Sequence, residues 1–156
     1  MPYLPFKNNI AGNMTIILDT NVLVAAVRSP SGASAEIMRR ILLGEIKMVA
    51  SVPLFIEYEA VLLRPVHLKA AQVLPADVSN LLDVLAGVVV PVEVFYLWRP
   101  QLKDANDEMV LEAAVNGQVA VIVTFNTKDF LPSAEKFHLR VMKPNEFLKE
   151  LRDGNH

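Results

Sequence analysis

Acidic side chains stand at four places in this chain where a predicted element begins or ends. Asp19 directly follows the apolar run Ile16-Ile17-Leu18, and Glu57 lies in an amphipathic helical stretch. Asp104 and Asp107 precede an alanine-rich helix, and Asp129 follows the β-branched run from Val119 to Thr124. Carboxylates gathered by a fold repel one another, and burying them costs free energy. A fold that collects several of them generally does so around a divalent cation. The chemistry this set would support is a Mg²⁺ or Mn²⁺ centre acting on a phosphodiester.

Each acidic motif also has an ordinary structural account. An aspartate leaving a buried strand, as in Leu18-Asp19-Thr20-Asn21, is a metal ligand or a helix cap. Thr20 and Asn21 would then orient its carboxylate through short hydrogen-bonding groups. Glu57 and Glu59 are two residues apart and cannot share a helix face, so only one can be a ligand. Glu57 is the one bordering the buried stripe of Leu54, Tyr58 and Val61. Asp104-Ala105-Asn106-Asp107-Glu108 is an acidic helix start that suits the helix dipole. Thr124-Phe125-Asn126-Thr127-Lys128-Asp129-Phe130 reads, in isolation, as a polar turn after a strand. His67, His138 and His156 have no ligand-like spacing, and the absence of cysteine excludes a thiolate zinc site, a disulfide or a thiol nucleophile.

The elements that must position these groups alternate. Strands are predicted at Thr15–Leu18, Lys47–Ala50, Val88–Phe95 and Val119–Thr124, with an edge strand at Leu139–Met142. Val84–Val94, broken by Gly87, Pro91 and Glu93, reads as buried strand. A helix capped by Ser34 runs to a stop at Gly44, and another opens at Pro53 and ends at Arg64-Pro65. Further helices are predicted from Asp77 to Ala86, from Asp107 to Asn116 with Asp104 or Asn106 as cap, and from Pro144 onward. Val66–Pro75 reads as a flexible connector. Alternating strands and helices mean an α/β fold with a mostly parallel sheet. In such sheets ligands bind beyond the carboxyl ends of the strands, where the strand order reverses. Asp19, Thr124 and Asn126 stand at such ends, and they converge if the first strand and Val119–Thr124 are neighbours.

The 156 residues suit one domain, with 53% hydrophobic residues, a net charge of −2 and no apolar run long enough to span a bilayer. Residues 1–13 read as an N-terminal tail before a second methionine, Met14, residues 14–151 as the domain and 152–156 as a C-terminal tail. A cytoplasmic location is permitted by the lack of cysteine. The hydrophobic fraction exceeds what one core of this size should need, so a homodimer or a covering partner is expected through the helices Ala35–Leu43 and Asp77–Ala86.

The motifs in their order resemble the PIN-domain nucleases, most closely the toxin components of bacterial and archaeal toxin–antitoxin pairs. The resemblance covers Met14 to about Leu151. It rests on Leu18-Asp19-Thr20-Asn21-Val22-Leu23, on Glu57 ahead of Val61-Leu62-Leu63-Arg64-Pro65, and on Asp104 and Asp107 before Leu111-Glu112-Ala113-Ala114. It closes on Val123-Thr124-Phe125-Asn126-Thr127-Lys128-Asp129-Phe130 and Pro144-Asn145-Glu146-Phe147-Leu148.

The resemblance implies a three-layer α/β/α sandwich and a Mg²⁺- or Mn²⁺-dependent endoribonuclease acting on RNA, with a cognate antitoxin protein and a homodimeric state. Carried over by position, the catalytic acids are Asp19, Glu57 and Asp107. Asp104, Asn126 and Asp129 are further candidate metal ligands, and Thr20, Asn21 and Thr124 support them. Asn126 stands where many relatives carry an acid, so a second ion would bind more weakly. Arg64, Lys69 and Lys128 are candidate phosphate contacts. Two rival readings are a degenerate PIN domain that only binds RNA or a partner, and a haloacid-dehalogenase-like phosphatase with Asp19 as nucleophile and Thr124 and Lys128 on the phosphate. Asn21, where the phosphatase would want an acid, counts against the second.

Overall fold

The computed structural model of the chain describes residues 14–94, 102 and 104–154. The readings made on residues 1–13, and on Phe95 and His156, lie outside them. Five strands form one sheet: β1 (Thr15–Leu18), β2 (Lys47–Ala50), β3 (Val90–Pro91), β4 (Val121–Val123) and β5 (Arg140–Met142), in the order β3-β2-β1-β4-β5. Every pairing is parallel. The helices are α1 (Thr20–Arg28), α2 (Ala33–Leu42), α3 (Val52–Leu62), α4 (Pro65–Ala71), α5 (Pro75–Val88), α6 (Ala105–Gly117), α7 (Thr127–Lys136) and α8 (Pro144–Gly154). The result is a three-layer α/β/α sandwich.

Sequence dictates the layering. β1 and β4 are central, and Ile16, Ile17, Leu18, Val121, Ile122 and Val123 are fully buried. Unbroken apolar runs of this kind belong to strands covered on both faces. From β1 the chain steps outward through β2 to β3, then returns across the sheet to β4 and β5. With right-handed crossovers, that reversal places α1–α5 on one face and α6 and α7 on the other. The reversal lies between β1 and β4, and the carboxyl ends of those strands form the crevice where such folds place ligands.

Local chemistry sets most helix ends. Ser51 Oγ accepts from the Leu54 amide at 3.2 Å and starts α3, with Pro53 in its first turn. Asp77 accepts from the Leu74 amide at 2.8 Å at the start of α5. Gly44, at φ +81°, takes the left-handed turn that leads from α2 toward β2. Gly117 ends α6 where the chain crowds the sheet: a Cβ there would meet Val92 Cγ2 at 3.0 Å and Val49 Cγ2 at 3.2 Å.

Several sequence expectations need correction. Ser34 does not cap α2; Gly32 does, without a side chain, and Ser34 is buried inside the helix. Val84–Val94 is not a buried strand. Its first half completes α5, running through Gly87 to Val88, and only Val90–Pro91 pairs with β2. Val84, Val88 and Val90 are exposed, so helical packing of Val78, Leu82 and Leu85 overrode the β-branched run. The expected connector from Val66 to Pro75 contains α4, opened by Pro65. The polar stretch after β4 is a short loop followed by α7, which tolerates Pro132. The last helix, expected from Pro144 onward, runs from Pro144 to Gly154. The apolar positions expected to expose α2 are used up internally: Ile37, Met38 and Ile41 are buried, leaving Leu43 just beyond the helix 73% exposed.

Candidate active site

The register of β1 and β4 builds the site. Leu18 is paired with Val123, so the next residues, Asp19 and Thr124, stand side by side at the carboxyl edge. The Asp19 amide donates to the Val123 carbonyl at 3.0 Å, and the Thr124 amide donates to the Met142 carbonyl at 3.0 Å. Backbone pairing thus fixes both residues before their side chains interact. The Thr124 hydroxyl then donates to Asp19 Oδ2 at 2.7 Å in a buried bond. Asp19 Oδ1 accepts from the Thr20 amide at 2.8 Å, which makes Asp19 the N-cap of α1. The capping account of Asp19 is correct and does not exhaust the residue, because each carboxylate oxygen keeps lone-pair capacity.

A third element supports this corner. Tyr58 of α3 donates its hydroxyl to the Leu18 carbonyl at 2.5 Å across the buried core. Burial, and then the charge of Asp19, push the Tyr58 phenol well above its usual range. Sequence periodicity placed Tyr58 on the buried stripe; nothing in it signalled that the hydroxyl braces the end of β1.

The carboxylates feel one another. Burial raises the Asp19 carboxyl above the ordinary aspartate value; the Thr124 hydroxyl and the Thr20 amide pull it back, and the charges of Asp104 and Asp129 add to the rise. The Asp107 carboxyl is pushed up from 3.8 to about 6, first by burial and then by Asp19, Asp104 and Asp129. These four acids, from three separate stretches of chain, share one electrostatic neighbourhood. Asp104 caps α6, its Oδ1 accepting from the amides of Asn106 at 2.8 Å and Asp107 at 3.2 Å. Asp104, Asp107, Lys128 and Asp129 wall a cleft of about 320 Å³ together with Leu102, Pro132 and Ser133. Among the described residues, Lys128 is the one cation of these walls. Leu102 is tied to α6 by its amide, which donates to Glu108 Oε1 at 2.7 Å.

The remaining sequence candidates fall as follows. Glu57 is half-buried on α3, next to Tyr58, and is not among the charges that raise Asp19 or Asp107. Thr20 and Asn21 do not orient Asp19 with their side chains: the Thr20 backbone does so, and Thr20 Oγ1 and Asn21 Oδ1 are buried with no hydrogen-bond partner among the described residues. Asn126 is exposed; its amide donates to Thr124 Oγ1 at 3.0 Å, and its side chain makes no capping bond to α7. Arg64, at the N-cap of α4, and Lys69, within it, are exposed and do not wall the acidic cleft. A second cavity of about 290 Å³ lies between α1, α2 and α5. It is lined mainly by apolar groups such as Val27, Met38 and Val78, and chemistry rather than size picks out the acidic cleft.

The arrangement suits a hard cation by donor type, since its acids offer oxygen and neither sulfur nor imidazole. Among the described residues, no three acidic or imidazole side chains close into a ready-made cage. The PIN domain model matches residues 15–128, from the first residue of β1 to the lysine of the cleft. The chain belongs to the PIN domain family. PIN domains are typically metal-dependent nucleases, and the acidic corner of this one lies at its sheet's switch point. No curated protein matches this PIN domain. No helix among its described residues is long and apolar enough to cross a membrane.

Proposed function

We propose that this PIN domain is a Mg²⁺- or Mn²⁺-dependent endoribonuclease that hydrolyses single-stranded or looped RNA, as the toxin of a toxin–antitoxin pair in the cytoplasm. The observation that carries it is the shared field of Asp19, Asp104, Asp107 and Asp129 at the carboxyl edge of β1 and β4. Raising two carboxyls above their ordinary range is a cost to the folded protein that a bound cation would remove. Family membership supports hydrolysis of a phosphodiester; the RNA target and the antitoxin rest on the resemblance of the motifs.

When bound, a divalent ion would activate water and neutralise charge on the phosphate. Asp19 and Asp107 would hold it, with Asp104 and Asp129 as additional oxygen donors, and Asn126 as a neutral one. A loose set agrees with Mg²⁺, which keeps several waters and needs one or two carboxylates plus substrate oxygens rather than a closed cage. Thr124 holds the Asp19 carboxylate in a single orientation, and Tyr58 fixes the strand end that carries it. Lys128 supplies the positive charge that a phosphate entering an acidic cleft requires. Glu57, on the helix that braces β1, would join the site by positioning water once substrate is bound. The exposed valines on α5 supply an apolar face for a homodimer or for the antitoxin.

The test is Asp19→Asn with metal and a labelled single-stranded RNA. It keeps the shape and removes one charge, so cleavage should fall on the order of 10²-fold or more. The variant should remain folded, with stability equal to or above wild type, because repulsion among the acids is relieved. Wild-type cleavage by this variant, in a preparation free of contaminating ribonuclease, would refute the assignment. Binding of RNA without metal-dependent cleavage by the wild type would favour a binding module instead.

A further inference from the structure

Phe125 stands between two residues of the acidic corner, Thr124 and Asn126, and leads into α7, whose first turn carries Lys128 and Asp129 to the cleft wall. Among the described residues, core packing makes no use of its ring. Phe125 is 44% exposed, and it belongs neither to the buried core nor to the partly buried residues packed against that core. The next phenylalanine, Phe130, is fully buried one turn and a half further on. Exposed apolar residues scattered singly are common and need no account. The position of this one does, because it is one residue from the hydroxyl that holds Asp19 and three from the cation of the cleft.

A phosphodiester held in the cleft brings its flanking bases with it. Among the described residues the walls are carboxylates, one ammonium and a few small or apolar groups, and none of those offers a flat face to a base. Stacking on an aromatic ring is the sequence-tolerant way in which single strands are held, usually beside a cation that follows the backbone. We propose that Phe125 is the substrate-stacking platform of this site. Its ring takes one unpaired base beside the scissile phosphate, while Lys128 takes a phosphate. The substrate class that follows is a single-stranded nucleic acid, because a base inside a duplex already has both faces covered. This rests on the nuclease reading above and adds to it the residue that selects unpaired strands.

The experiment compares steady-state cleavage of a labelled single-stranded RNA, in Mn²⁺, by wild type, Phe125→Ala, Phe125→Leu and Phe125→Trp. Leu43→Ala, at an exposed apolar position beyond α2, serves as control. Loss of the stacked base should raise KM about tenfold in the Ala and Leu variants and leave kcat within about twofold, since a ring contributes to holding the strand rather than to the chemical step. Phe125→Trp should keep the wild-type KM, and Leu43→Ala should change nothing. A second reading comes from fluorescence. Trp98 is the chain's one tryptophan, so in Phe125→Trp with Trp98→Phe the only indole reports on position 125. Single-stranded RNA should quench it, and the same sequence as a duplex should not. An unchanged KM in Phe125→Ala, or equal cleavage of duplex and single strand, overturns the proposal while wild-type cleavage leaves the nuclease reading intact. A fall in kcat shared by all three Phe125 variants also overturns it, by marking a structural role. A wild-type protein that neither binds nor cleaves any strand sinks both.

Discussion

Thr124→Val is the sharpest probe of how this corner is held together. The substitution nearly preserves shape and removes one hydroxyl that serves two partners: it donates to Asp19 Oδ2 at 2.7 Å and accepts from the Asn126 amide at 3.0 Å. The first bond is buried and reaches a carboxylate, which places it at about 1.5–3 kcal/mol. The second is neutral and only partly buried, so water can replace the lost acceptor and the cost is small. The added methyl returns some burial, and the net loss should be about 2 kcal/mol at neutral pH. The sign with pH follows from the carboxylate. The hydroxyl holds the Asp19 carboxyl down, so removing it raises further a group that burial has already lifted above 3.8. The loss is full where Asp19 is ionised in both proteins and fades as pH falls through their raised folded values and the acid becomes neutral in each. Urea unfolding in EDTA, at neutral pH and near pH 4, measures both limbs; the neutral midpoint should fall by about 1 M at unchanged slope. Activity should drop by about 10- to 100-fold, as for other groups that orient a metal-binding side chain. Equal stability of the two proteins at neutral pH, or an equal loss at both pH values, would refute the picture of a hydroxyl that orders a buried charge.

The Asp107 carboxyl, raised to about 6, gives a pH signature of both signs. Without metal, its proton is bound more tightly folded than unfolded, so stability falls slightly as pH rises from 3.8 through 6. The side chain is half-exposed, and screening keeps that effect under about 1 kcal/mol. With Mn²⁺ the ion competes with the proton, so metal affinity and cleavage should fall as pH drops through about 6; a titration of metal-induced stabilisation against pH checks both. Tyr58→Phe removes the donor to the Leu18 carbonyl and should cost about 1–2 kcal/mol, read by urea unfolding; no loss would remove the brace from the account. Val84 at 56% and Val88 at 36% exposure leave α5 an apolar outer edge, so light scattering at micromolar concentration should give a dimer mass. A monomer at every concentration would leave that face to a different partner.

The strands and the acidic motifs were legible because both rest on short patterns. Thr15–Leu18 and Lys47–Ala50 are apolar runs of buried parallel strands, and the structure returns them with the same bounds. Asp104 and Asn106 were the two caps offered before the alanine-rich helix, and Asp104 is the one that caps it. What failed lay where tertiary packing overrode local preference. Val84 to Val90 is rich in β-branched residues, yet a helical stripe of Val78, Leu82 and Leu85 against the core decided the outcome. The partner of Asp19 was the least legible fact of the site. Sequence offered Thr20, Asn21 and Thr124 together; the hydroxyl that orients Asp19 is the one from Thr124, brought in by strand pairing that no local pattern encodes. Glu57 shows the opposite case: the resemblance named it with the other acids, and the structure gives it no part in the field that raises Asp19 and Asp107.

The Thr124–Asp19 bond spans 105 residues of chain, and that separation has a consequence during synthesis. β1 is the first strand of the sheet to leave the ribosome, and its partner β4 is the fourth of the five. At about 5–20 residues per second, Asp19 waits on the order of 5–20 s before Thr124 exists to meet it. Until then β1 has one flank open, and the acids at the start of α6 have no partner to gather around. The corner therefore assembles in a single late step, after the most distant contact in the sheet has closed. A nascent chain carries the acidic residues one by one without the ability to act, and a truncation between α6 and β4 leaves a polypeptide with Asp19, Asp104 and Asp107 and no site.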